Sequence, residues 1–178
     1  VSHAQQTSIK IGKLLPGRHH PDFPGLELLT TLLGGYFSSR LMANLREDKG
    51  YTNGVGARLT PVGRKSMLTV TADVGNNYRD HAVEEVLNEI KKLKEQKIPD
   101  DELDIVKNYM TGSMLRNLDG SFNQLSYLVE LRQTGMDFNW LGKSFRSMQE
   151  LKSQDLQQMV EKYFDPSTFS GITAGKSN

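Results

Sequence analysis

The sequence has no cysteine, no excess of charge of one sign and no long apolar run. Without cysteine there are no disulfides, thiolate zinc sites, iron–sulfur clusters or cysteine nucleophiles. Twenty-two Lys and Arg stand against 21 Asp and Glu, a formal net charge of +1. That balance removes any electrostatic case for nucleic acid or an acidic membrane surface as the main partner. No apolar stretch approaches the roughly 20 residues that span a bilayer, so no membrane span is expected. What remains is an ordinary globular composition, 37% hydrophobic and 24% charged. The length of 178 residues fits a single domain over 1–178. The chain opens Val1-Ser2-His3, with neither an initiator Met nor a charged-then-apolar leader. It therefore reads as a mature product or an excised segment.

Several catalytic signatures are missing too. Gly34-Gly35 lacks the G-x-x-x-x-G-K-[ST] spacing of a phosphate loop, and no strand leads directly into it. Ser113 and Ser121 sit beside glycines, but no G-x-S-x-G elbow occurs. His81-Ala82-Val83-Glu84-Glu85 falls one residue short of an H-x-x-E-H zinc motif, with Glu85 where the second His belongs. On a helical wheel centred on Val83, His81 and Glu85 fall near about 160° and about 200°, away from Val86, Leu87 and Ile90. They read as an exposed i,i+4 pair. His19, His20 and Asp22 lie in a Pro-rich loop and read as solvated surface.

The patterning that is present predicts an α+β domain. Residues 5–13 alternate weakly as a strand with Ile9 and Ile11 on one face, and 14–24 form a loop. Leu26, Leu29, Leu32 and Leu33 have helical spacing up to the Gly34-Gly35 break, where glycine permits close backbone approach. A second helix is expected over 37–49, with Leu41, Met42 and Leu45 inward and Gly50 as a left-handed stop. Residues 53–60 and 65–75 read as a hairpin around Pro61-Val62-Gly63, with Leu68, Val70, Ala72 and Val74 facing a core. Helical patterns follow over 78–97, over 100–118, and through Phe122, Leu125, Leu128 and Val129 to Gly135. The stretch around Trp140–Met148 is ambiguous. A last helix is capped by Ser153, and 169–174 form a final strand. A hairpin with segregated helices implies two layers, a mostly antiparallel sheet with helices packed on one face.

One segment, 32–57, carries more than periodicity. By pattern alone it is a Gly-interrupted amphipathic helix followed by a glycine-rich strand start, with Tyr36, Phe37 and Tyr51 either lining a groove or joining the core. Its wording, LGGYFSSRLMANLREDKGYTNGVGA, resembles the second, zinc-free half of insulinase/pitrilysin-type zinc peptidases, the mitochondrial processing peptidase-like superfamily. Leu33, Gly34, Gly35, Ser39, Arg40, Leu41, Leu45, Arg46, Glu47, Gly50 and Val55 fall at the family's positions. So does Gln6, in the strand preceding the first helix.

The resemblance implies one half of a clamshell: two similar α+β halves facing each other across a cavity. One half holds zinc through H-x-x-E-H and a later Glu. The other supplies an Arg and a Tyr, seven residues apart, that contact the substrate backbone. Carried over, the Arg is Arg46 and the Tyr position is Asn53, with Tyr51 two residues earlier. Gly34 and Gly35, as a break bordering a cleft, complete the candidate substrate-binding set. A guanidinium offers several permanently charged donors to a peptide carbonyl or to the negative charge that develops on it. The segment Leu26–Leu33 stands where the other half would hold its zinc motif, and it contains no His. No catalytic residue and no metal ligand are therefore expected in this chain, and the chain alone is expected to be inactive. Zinc belongs to a complementary domain or subunit, and that domain and a peptide substrate are the expected partners. The alternative is a degenerate homologue serving as a peptide-binding or structural subunit. For bacterial relatives, the resemblance points to the periplasm or cell envelope.

Overall fold

The computed structural model describes residues 4–175, so the Val1-Ser2-His3 start lies outside the described residues. Among them, four strands form one sheet: β1 (Gln6–Pro16), β2 (Thr52–Val62), β3 (Lys65–Gly75) and β4 (Ser170–Ala174), in the order β2-β3-β1-β4. Every pairing is antiparallel. In β1, Thr7, Ile9 and Ile11 are buried while Ser8 and Lys10 are exposed, a period of two that turns one sheet face to the core. β3 does the same with Leu68, Val70, Ala72 and Val74, as its alternation predicts. The hairpin turn falls one residue later than expected. Val62 pairs with Lys65, which leaves Gly63 as the first central residue with φ +58°. Glycine accepts that conformation without a Cβ clash.

The helices are α1 (Phe23–Thr30), α2 (Arg79–Glu95), α3 (Asp100–Asn117), α4 (Ser121–Gln133), α5 (Phe138–Glu150) and α6 (Ser153–Tyr163), with a π-helical segment at Met42–Asp48. α1 is the centre of the core. Leu26, Leu28 and Leu29 are fully buried between the sheet and the other helices. Each such leucine removed from water contributes about 1.5–3 kcal/mol. Ala82, Val86, Ile90 and Leu93 form the inward stripe of α2. No helix is long and apolar enough to cross a membrane among the described residues.

Several features correct or extend the sequence reading, and β1 runs on to Pro16, into what reads as loop. The second helix starts later than Phe37, because Tyr36 is extended (φ −148°, ψ 171°) and a turn closed by Ser39 N–H to Tyr36 O intervenes. The ambiguous stretch is helix α5, started by Asp137, whose carboxylate accepts from Trp140 N–H at 2.8 Å. Ser153 does not cap α6. Its hydroxyl bonds the Asp100 carboxylate at 2.5 Å, and Lys152 precedes the helix with its N–H on Asp155 Oδ2. Finally, three apolar residues of α4 face outward, Phe122 at 88% exposed, Leu125 at 59% and Val129 at 49%, while Leu128 is half-buried. α4 packs at the margin of the helical layer, mainly against α3, and only Leu131 is buried in it.

Candidate functional site

The segment singled out by its wording wraps the outer edge strand β2. Gly34 breaks the first helix with φ −161° and ψ 15°, and its backbone lies against Ala57. A Cβ at Gly34 would stand 2.6 Å from the Ala57 nitrogen and 2.8 Å from its Cβ. The glycine is therefore required by close approach, as the break suggested. Met42 covers the strand further along, its Sδ 3.5 Å from Val55 N–H. That contact occupies a donor which an open sheet edge would otherwise present to another chain.

The helix ends as predicted at Gly50, with φ +63°. Gly50 N–H bonds Arg46 O, and Tyr51 N–H bonds Leu45 O, the paired closure of a glycine-terminated helix. The chain then enters β2 through an irregularity between Thr52 and Val55. Thr52 and Val55 both face inward, so Asn53 and Gly54 are both left exposed. The Thr52 hydroxyl holds this shape, 2.6 Å from Asp73 O and accepting from Gly54 N–H at 3.1 Å. An extra residue of this kind re-aims side chains at a sheet edge.

The helix bearing Arg46 is anchored on several sides. Arg40 makes a two-pronged pair with Glu102 of α3, Nε to Oε1 at 2.8 Å and Nη2 to Oε2 at 2.6 Å. The Asn44 amide donates to Glu85 (3.0 Å) and to Glu89 (2.6 Å) of α2. Lys49 reaches Glu85 at 3.1 Å. Burial alone would raise the Glu85 carboxyl, but the Asn44 and Lys49 contacts outweigh it and hold its pKa below the ordinary value. Glu85 is thus not the solvated partner of His81 that the wheel suggests. It ties α2 to the Arg46 helix. His81 itself is exposed.

Arg46 differs from its neighbours. Its guanidinium lies 4.8 Å over the ring of Phe37, which is itself 66% exposed. Among the described residues its one ion pair is a long contact with the adjacent Glu47, at 3.6 Å. A permanently charged, half-exposed fork is therefore presented on a rigid base. Of the other candidates, Asn53 is exposed on the strand irregularity. Tyr51 precedes the strand, and its ring stacks on Tyr78 at 4.8 Å and 17°. Tyr36 meets Tyr109 at 5.2 Å. Phe37, Asn44, Glu85 and Glu89 complete the setting of Arg46. Asn44 in mid-helix was a signal for such a tie, because a short amide there competes with the helix unless it finds partners.

The His-rich loop is structural. Asp22 receives the Tyr163 hydroxyl at 2.7 Å and Lys162 at 3.0 Å, and so fastens the loop to α6. The described residues do not form a zinc site. Where the first helix would need ligands, it presents buried Leu28, Leu29 and Thr30. No group of three or more His, Cys, Asp or Glu converges among the described residues.

A family described as the peptidase M16 inactive domain matches residues 1–110. An uncharacterized zinc protease of Bacillus subtilis is 31% identical over 107 residues, covering 60% of this chain and 26% of that protein. An uncharacterized zinc protease of Rickettsia bellii is 24% identical over 152 residues, covering 82% of this chain and 35% of its own length. The chain thus spans about a quarter to a third of these curated relatives. The crystal structure of a peptidase M16 inactive domain from Pseudomonas fluorescens superposes with a TM-score of 0.88 at 22% identity, covering 100% of this chain and 42% of that one. The same α+β sheet-and-helix layering is found there.

Proposed function

This chain belongs to the peptidase M16 inactive-domain family, and on that premise we propose that it is the substrate-binding half of a zinc-dependent endopeptidase. It acts with a zinc-bearing H-x-x-E-H domain or subunit, and its task is to hold the peptide backbone against that site. The observation carrying this reading is the contrast within one short helix. Arg40, Asn44 and Lys49 are all tied into α2 and α3, while Arg46 is left half-exposed over Phe37. Anchoring the base of a helix and leaving one planar cation outward is the arrangement that holds a binding group in place. The exposed amide of Asn53 offers a neutral donor in the position where the family pattern implies a phenol. Zinc and the activation of water belong to the other half.

The test is Arg46→Ala in the complete two-half enzyme. Losing one donor of this kind lowers turnover by about 100–1000-fold. An unchanged rate removes Arg46 from the reaction. Strong peptide hydrolysis by this chain alone with added zinc would overturn the division of labour.

A second reading is supported by Asn53 itself. An amide in place of a phenol fits a degenerate homologue that binds peptide or scaffolds a complex without cleaving. A complete assembly that retains peptide and never hydrolyses it would favour this reading.

A further inference from the structure

Away from Arg46, a cavity of about 300 Å³ opens within the helical layer, between α1, α3, α4 and α5. Glu27 of α1 and Thr31 just past its end, one helical turn apart, form one wall and are only partly buried, whereas Leu26, Leu28 and Leu29 beside them are fully enclosed. Tyr109, Met114, Tyr127, Phe145 and Met148 supply most of the remaining lining. Ser113, Asn117 and Ser144 add neutral oxygens that accept hydrogen bonds.

The charges around this space do not balance. Burial, first of all, acts on the Glu27 carboxyl, followed by attraction from Arg18 and repulsion from Glu130; no hydrogen bond contributes. Arg18 is already engaged: its guanidinium pairs with Glu130 at 2.5 Å, donates to Thr134 at 3.2 Å and lies over the Trp140 ring. Arg18 is committed to Glu130, which offsets part of its attraction, and among the described residues Glu27 makes no ion pair of its own. A carboxylate in such surroundings either takes up a proton or acquires a cation. Its pKa is pushed up to about 7, toward the first of those outcomes. Tyr127 across the cavity is raised as well, by burial first and then by the Glu27 charge.

We propose that this cavity binds a small organic cation, a primary alkylammonium, with its ammonium on the Glu27 carboxylate and its alkyl chain among Tyr109, Tyr127 and Met114. The volume lies at the lower end of ordinary small-ligand pockets. An ammonium carries three donors, which suit Glu27 together with the neutral oxygens of Ser113 and Ser144. Tyrosine rings and thioethers favour an alkylammonium over a hydrated ion. A bare metal ion is disfavoured, since one carboxylate with no second acidic or imidazole ligand is a poor coordination set. An anion is disfavoured by the net negative charge. This inference is independent of Arg46.

The test is an NMR titration of the 178-residue chain at pH 8 with n-hexylammonium and with n-hexanol, which has the same alkyl chain and no charge. The expected result is saturable shifts around Glu27 and Tyr127, with hexylammonium bound about tenfold or more tighter than hexanol, the size of one charged hydrogen bond. Glu27→Gln is expected to abolish that preference and leave hexanol binding unchanged. Ser144→Leu, which fills the cavity, is expected to weaken both ligands. Equal affinity for the two ligands, a preference surviving Glu27→Gln, undiminished binding in Ser144→Leu, or no saturable shift with hexylammonium would each overturn the proposal.

Discussion

The Gly34 backbone rests against Ala57 so closely that a methyl group on Gly34 would meet the Ala57 nitrogen at 2.6 Å. The obstacle is backbone inside a sheet, so it cannot rotate away. Gly34→Ala is therefore expected to destabilise the domain by about 1–3 kcal/mol, the usual cost of overpacking. At Gly35→Ala the nearest obstacle is the Thr31 side chain, at 3.1 Å, and the change is expected to cost less. Urea denaturation of the two variants gives the comparison directly.

Arg40 and Glu102 are expected to be coupled. Their two-pronged pair is partly buried, with side-chain exposures of 16% and 24%. A double-mutant cycle with Arg40→Met and Glu102→Met is expected to show a coupling of about 1–3 kcal/mol, above the 0–1 typical of surface pairs. A coupling near zero would mean that Asn44 and Lys49 alone hold the helix.

Glu27 gives the stability of the domain a pH dependence of definite sign. Its pKa is raised from 4.5 to about 7 in the folded state, so between those values the folded chain keeps a proton that the unfolded chain has lost. Stability therefore falls as pH rises through that window, by a few kcal/mol at most from this group. Glu27→Gln is expected to remove the fall. It should be more stable than the parent at pH 8 and equal to it at pH 4, as read by thermal midpoints.

Arg46→Ala is expected to leave stability within about 0.5 kcal/mol, since the side chain is half-exposed and its ion pair is long. Arg46→Lys keeps the charge and loses the planar fork, so in the complete enzyme it is expected to restore only part of the turnover. Full restoration by Lys would show that charge alone matters.

Much of this architecture was legible because single-residue rules decide it. The alternation in β1 and β3 fixes which face is buried, and Gly50 stops its helix because no other residue takes φ +63° as cheaply. The setting of Arg46 was less legible. Asn44 finds Glu85 and Glu89 more than 40 positions along the chain, and helical periodicity placed Glu85 in solvent. The irregularity at Thr52/Val55 depends on a threonine hydroxyl finding Asp73 O, which no local pattern announces. On α4 the pattern of Phe122, Leu125 and Val129 was visible, but periodicity says only that they share a side, never which way that side points.

The sheet order also has a consequence in time. β1 precedes the other three strands of the sheet in the sequence, yet it lies between β3 and β4, with Ser8 opposite Ala174. One of its flanks is completed by a partner some 160 residues later, after every helix has been made. Pairings between such distant segments close slowly. A nascent chain therefore carries an open strand flank until Ser170–Ala174 has emerged, and in that interval it is most exposed to pairing with the wrong chain.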